Sequence, residues 1–235
     1  SIFPDFKEIS QYRGAYKARN LEIFRDLLAD NGMASMADKF LMASGNLQTL
    51  CYKYEIERNL RTKDYAGFQL LSLNDYSGQG SALVGTLGVH WNEKGYVTAR
   101  QWREFCNAIV VLARFPRFVY TNADTLHVPL EMVNALYGSL KPCDIAYQIW
   151  QNESTLFDSD TLGRMPVPIG KQNQLGTINI PLNSIKTPSK MTLMVSVENT
   201  ISNRWDFWVY PAEQETTAEE KSGDILIADT LSQAV

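Results

Sequence analysis

Runs of lysine and arginine are missing from this 235-residue chain, and its formal net charge is -4. Such a chain raises no positive field to gather phosphates, so a nucleic-acid partner is excluded on charge. Histidine is scarce: His90 and His127 are the only two, which rules out a metal centre built on several imidazoles from this chain. The three cysteines, Cys51, Cys106 and Cys143, are odd in number and widely spaced. They make neither a disulfide framework nor a zinc pattern and read as small buried hydrophobes. No apolar run of about 18 residues is present, so no membrane span is expected. Gly78, Gly80 and Gly85 lack the G-x-x-x-x-G-K spacing of a phosphate cradle, and no cofactor motif takes its place. A G-x-S-x-G elbow is absent too, which leaves His127 without a nucleophile to serve.

What the chain does contain is a 45% hydrophobic fraction against 20% charged, enough to bury a core. Its length points to two domains. Leu21, Phe24, Leu27 and Leu28 recur at helical spacing after an Asn20 N-cap and stop at Asn31-Gly32. Ser35 with Asp38 resembles a capping box, and Met36, Phe40, Leu47, Leu50 and Tyr54 continue one stripe to about Leu60. Ala66 to Leu73 is apolar on both faces, as a parallel strand buried between layers would be. Thr98 and Gln101 form a T-x-x-Q capping box ahead of Trp102 and Phe105, giving a further helix expected to run toward Ile109.

Beyond Arg114 the pattern shortens. Leu126 to Val133, Ile145 to Trp150, Thr177 to Ile180, Met191 to Val197 and Trp205 to Tyr210 are strand-like runs separated by turn residues, the signature of a β-sandwich. In the last run Trp205, Phe207 and Val209 share one face and Asp206, Trp208 and Tyr210 the other. Trp205 and Phe207 are expected in the core, and Trp208 is the aromatic available to stack on a sugar. The fold class expected is therefore α/β plus all-β: residues 1–114, then a sandwich over 115–211, then an acidic linker and the start of a further element over 212–235. A single parallel strand needs partners. Sequence upstream of Ser1 would supply them if the chain is a piece of a longer protein, and pairing between copies in a homo-oligomer would be the other source.

Strand 66–73 would end on Asn74, Asp75, Tyr76 and Gln79, and in α/β barrels the C-terminal ends of strands carry the site. These four residues are the candidates for contacts to a polar ligand, beside the plain alternative that Asn74, Asp75 and Gly78 only build a turn. Glu55 and Glu57 stand two apart on a helix and cannot converge. Asp5 and Glu8 are explained equally by a barrel rim or by an exposed helix start. No carboxylate pair fit for catalysis emerges.

The runs FPDFKEISQYRG, ARNLEIFRDLL, ASGNLQTLCYKYEIERNLRT and GFQLLSLNDYSGQGSALVG resemble bacterial proteins of the glycoside hydrolase family 2 type, the β-galactosidase and β-glucuronidase superfamily. The resemblance covers most of residues 1 to 210. It implies the last segment of a (β/α)8 barrel followed by an immunoglobulin-like sandwich, a carbohydrate as partner, and a periplasmic or secreted location. It also implies that Asn74, Asp75, Tyr76 and Gln79 face the sugar. Departures accompany it: Leu70 and Ser72 stand where the better-known enzymes carry tryptophans, and Asn74 stands where they carry an acid. Lys39 and Asp38 occupy the neighbourhood of their nucleophilic glutamate, and the other glutamate is expected before residue 1. Catalytic residues are therefore assigned to none of the positions in this chain. A carbohydrate-binding or scaffold module without catalysis is the alternative.

Overall fold

The computed structural model describes residues 3–13, 15–76 and 83–212. Gln79 and the acidic stretch beyond Ala212 lie outside the described residues. The N-terminal part opens with a short 3-10 turn over Phe6–Gln11, capped by Asp5, whose carboxylate accepts from Lys7 N at 3.0 Å. Helix α1 spans Arg19–Asp30 and ends at Asn31 and Gly32, whose φ of 69° closes the turn as expected of glycine. Its N-cap is Ala18, without a side-chain bond, rather than Asn20. A 3-10 turn over Ala34–Met36 leads into α2, Ala37–Arg61, so the Ser35–Asp38 box does not form. Helix α3, Ala99–Arg103, carries the expected box: Gln101 N donates to Thr98 Oγ1, and Thr98 N donates to Gln101 Oε1.

The expected parallel strand over 66–73 is not formed. This stretch is irregular, Ser72 takes a φ of 65°, and its ladder bonding reduces to one bridge, Asn74 with Leu87. The physical reason is the partner problem: a strand holds only where neighbours take its N–H and C=O groups. Among the described residues no second strand lies beside it. With the strand goes the argument for strand pairing between copies of the chain.

Eight strands form the rest. They are β1 Ile109–Ala113, β2 Val119–Thr121, β3 Thr125–Asn134, β4 Leu140–Gln151, β5 Thr155–Val167, β6 Gly170–Pro181, β7 Ser189–Val197 and β8 Ile201–Tyr210. One sheet has the order β1-β3-β6 and the other β2-β8-β7-β4-β5. Neighbours are antiparallel except β2 and β8, where Val119 faces Trp208 in a parallel pair. Three-residue turns, with positive φ at Asn152 and Glu153 and at Glu198 and Asn199, join β4 to β5 and β7 to β8. Alternation along the strands sends Leu126, Val128, Leu130 and Met132 of β3 inward to meet Met191, Leu193, Val195, Trp205 and Phe207 from the facing sheet.

The helix expected to reach Ile109 stops at Arg103, and β1 takes over the apolar run. Its two faces are both buried: Val111 and Ala113 enter the sandwich core, while Val110 and Leu112 pack with Val133 under Leu60 of α2. The sandwich sheet thus begins ahead of Phe115. Helix α2 docks on the outside of the smaller sheet and at the start of β8. There buried Glu57 accepts from Trp205 Nε1 at 2.9 Å and from Asn203 Nδ2 at 2.9 Å. Lys53 pairs with the same carboxylate and lies 4.8 Å from the Trp205 ring centroid. Burial pulls the Lys53 ammonium below its ordinary value, with Glu57 opposing. Past the last turn, Lys171 donates to the carbonyls of Asn59 and Thr62, a cation set at the negative end of the helix dipole.

Candidate functional site

Three segments far apart in sequence meet around Asp75: the 3-10 turn, the chain at 73–76 and the chain at 85–94. Leu87 N donates to Leu73 O and Asp75 N to Leu87 O, both at 3.0 Å, which lays 85–87 alongside 73–75. Leu87 also bridges Glu93, and Gly88 N donates to Asn92 O at 2.9 Å, closing a tight turn over 88–92. The approach at Gly85 is close enough that a Cβ there would fall 2.2 Å from Asn74 C, so only glycine fits.

Asp75 is buried, with a hydrogen bond on one carboxylate oxygen and an ion pair on the other. Its Oδ1 accepts from Gly85 N at 2.9 Å, and its Oδ2 lies 2.7 Å from Lys94 Nζ. Lys94 donates further to Gly85 O at 2.9 Å, an oxygen that also accepts from Tyr96 OH at 3.1 Å. Tyr96 OH sits 3.0 Å from Gln48 Oε1, which ties the cluster to α2. Burial pushes the Asp75 carboxyl above its ordinary value against the pull of Lys94, and it pushes the Tyr96 hydroxyl up as well, helped by the Asp75 charge.

Asp5 and Glu8, which the sequence explained equally by a barrel rim or an exposed helix start, are both buried. Glu8 Oε1 accepts from Val89 N at 3.2 Å. Its carboxyl is pushed up to about 7, first by burial and then by the charge of Asp75, with Lys94 opposing. Glu8 thus joins the turn over 88–92 to the N-terminal segment.

Of the residues named from the sequence, Asn74 is half-buried, with its Nδ2 donating to Asp75 O at 2.9 Å, and Tyr76 is exposed. Asp75 lies between them but points into the cluster, and Gln79 lies outside the described residues. Lys94 and the turn carrying Trp91 escaped the sequence reading, and Glu8 entered it only as a rim or helix-start acid. Trp91 is 63% exposed with a φ of 65°, a left-handed backbone uncommon for a bulky residue. The signal that could have found it is Gly88 and Gly95 bracketing an aromatic and a lysine. On the sandwich, Trp205 and Phe207 are core, and Trp208 stands partly exposed on the other face, as expected. Among the described residues no group of three or more His, Cys, Asp or Glu is arranged to hold a metal ion. None of their helices is long and apolar enough to cross a membrane.

Residues 124–211 match the family described as a domain of unknown function (DUF8488). Among curated proteins no sequence matches the chain. Solved structures similar in part include glycoside hydrolases. Parabacteroides merdae β-glucuronidase shares 16% identity over 44% of this chain and 14% of its own, with a TM-score of 0.33. Amycolatopsis orientalis exo-chitosanase shares 14% identity over 82% of this chain and 22% of its own, with a TM-score of 0.48. A CARDB domain from Pyrococcus furiosus, solved with two metal ions, shares 14% identity over 44% of this chain and 94% of its own, with a TM-score of 0.32. This chain therefore spans less than a quarter of the length of either glycosidase.

Proposed function

We propose that this chain is part of a glycoside hydrolase of the family 2 type and forms a wall of its carbohydrate site rather than its catalytic pair. In that reading the residues ahead of β1 are the end of a (β/α)8 barrel completed by other sequence, and β1 to β8 are the immunoglobulin-like sandwich that follows it. The observation that carries the proposal is the pinned segment at 74–76. Asp75 is clamped by Lys94 and Gly85, which fixes the backbone and leaves Tyr76, with the half-buried Asn74, at the surface. An aromatic ring beside an amide on a rigid backbone suits a sugar, whose C–H face packs on rings and whose hydroxyls pair with amides. The run GFQLLSLNDYSGQGSALVG supports the family reading, and Gln79 completes the proposed sugar-facing set.

A second reading, a carbohydrate-binding module without catalysis, draws support from the enclosure of Glu8 and Asp75, since neither buried carboxyl reaches a substrate. The two separate in one assay. The longest natural protein containing this chain is incubated with p-nitrophenyl β-glucoside, β-galactoside, β-glucuronide and β-glucosaminide. Release of nitrophenol, with KM raised in Asn74→Ala and Tyr76→Ala, supports the hydrolase. Binding of the corresponding methyl glycosides without release supports the module, and neither binding nor release overturns both.

A further inference from the structure

Beside the clamp, where Asp75 Oδ2 meets Lys94 as an ion pair rather than in hydrogen-bond geometry, two further buried acceptors have neither. Glu8 is 1% exposed, and its Oε2 has no hydrogen-bond partner among the described residues. Asn92 Oδ1 is in the same condition. Gly88 lies against both side chains: a Cβ on it would stand 1.8 Å from Glu8 Oε1, the other oxygen of that carboxyl, and 2.8 Å from Asn92 Oδ1. Native interiors rarely leave such groups unmet, and a pair of them calls for a shared explanation. An ionised Glu8 would also add a charge next to two other buried carboxyls, Asp5 and Asp75, where the buried ammonium of Lys94 is already 2.7 Å from Asp75. A single proton on Glu8 answers both difficulties. It removes the excess charge and supplies the donor that the neighbouring acceptors lack.

We propose that Glu8 is a positioning residue that keeps a proton between itself and Asn92 and so locks the turn over 88–92 in the form that displays Trp91 to a sugar. The proton rests on the geometry of Glu8, Gly88 and Asn92 alone, whereas the role of Trp91 rests on the carbohydrate reading above. The turn needs such a lock, because Trp91 is held in a left-handed backbone by Gly88, whose carbonyl accepts from Trp91 N at 3.0 Å and whose N–H donates to Asn92 O. The groups facing Glu8 are Asp5 on its own turn, Asp75 and Lys94 across the cluster, and Val89 N. His90, next to Val89, packs on the Tyr12 ring, with centroids 5.2 Å apart. The upward push on the Glu8 carboxyl to about 7 agrees with this arrangement.

The test labels the glutamate side-chain carboxyls with 13C and follows them by NMR against pH in the chain as it stands, with Glu8→Gln identifying the Glu8 signal. A midpoint near 7 for Glu8 is expected. A midpoint in the ordinary glutamate range of about 4 to 5 overturns the proposal, and because it is read on the unmutated chain, a misfolded variant cannot obscure it. The second readout, on the longest natural protein containing this chain, is saturation transfer to methyl β-D-glucopyranoside and methyl β-D-glucuronide. Binding should fall about tenfold between pH 6 and pH 8, stay level in Glu8→Gln, keep its pH dependence in His90→Gln, and be lost in Trp91→Ala. A pH dependence that vanishes in His90→Gln overturns the assignment to Glu8. A raised Glu8 midpoint with no glycoside bound at any pH upholds the proton and overturns the carbohydrate reading.

Discussion

Lys94 Nζ lies 2.7 Å from Asp75 Oδ2 with both side chains withdrawn from solvent, and the same ammonium reaches Gly85 O at 2.9 Å. A buried ion pair contributes little over apolar residues of equal volume, but removing one partner leaves a charge without compensation. Lys94→Met should therefore cost about 3–5 kcal/mol, and Asp75→Leu with Lys94→Met should recover most of that loss. Urea denaturation of the single and double variants measures both.

Glu57 joins α2 to the sandwich through Trp205 Nε1 and Asn203 Nδ2. Glu57→Ala removes the counter-charge of Lys53 and the acceptor of Trp205 Nε1, while Asn203 Nδ2 keeps Val111 O, so a loss of about 3–5 kcal/mol is expected. Trp205→Phe removes one of the donors and much less. A double-mutant cycle on Glu57→Ala and Trp205→Phe should show coupling of about 1–2 kcal/mol by chemical denaturation.

Gly45 lies against Tyr96 so closely that a Cβ would fall 2.1 Å from the ring, whereas Gly67 has nothing within 4 Å. Gly45→Ala should destabilise by about 1–3 kcal/mol through overpacking. Gly67→Ala should change stability by less than about 1 kcal/mol. Melting temperatures of the two variants, recorded side by side, decide it.

The raised carboxyl of Glu8 makes stability depend on pH. The folded chain holds this proton up to about 7, while the unfolded chain releases it near the ordinary 4.5. Folding therefore gains fully from Glu8 below about 4.5 and loses that gain as pH climbs through about 7, to a total of order 3 kcal/mol. Thermal melts across this window should slope downward in the natural chain and flatten in Glu8→Gln.

The exposed aromatics separate packing from binding. Tyr76→Ala should leave stability within about 0.5 kcal/mol, since the side chain is exposed, while raising KM for a glycoside in the longer protein. On β8, Trp205→Ala should cost about 3–5 kcal/mol and Trp208→Ala far less, because the first ring is buried and the second partly exposed. Denaturation together with steady-state kinetics checks both statements.

Where alternation governs a strand, the sequence was readable. β3, β7 and β8 carry their apolar residues at every second position, and the two faces of Trp205 to Tyr210 fall as that period requires. β1 was misread because both of its faces are buried, one in the core and one under Leu60, which erases the period. β2 is three residues long and offers no pattern, and β5 is an edge strand with a mostly exposed burial pattern. The stretch 66–73 was misread in the opposite direction, since its apolar character suits a buried strand but among the described residues no strand lies beside it. At the candidate site, the polar character of Asn74 and Asp75 was visible, but the partners of Asp75, Gly85 and Lys94, are distant in sequence and were not. The burial of Glu8 was not, because it depends on Val89, 81 residues away.

Helix α2 is held at two points, where Gly45 lets Tyr96 press against it and where Glu57 grips Trp205. At 1.5 Å per residue these points are about 18 Å apart along its axis. In mechanical terms the helix is a beam fixed near the Asp75 cluster at one end and in the sandwich at the other. A twist of the sandwich must then be delivered to Tyr96, and through the shared Gly85 carbonyl to the clamp that sets Tyr76.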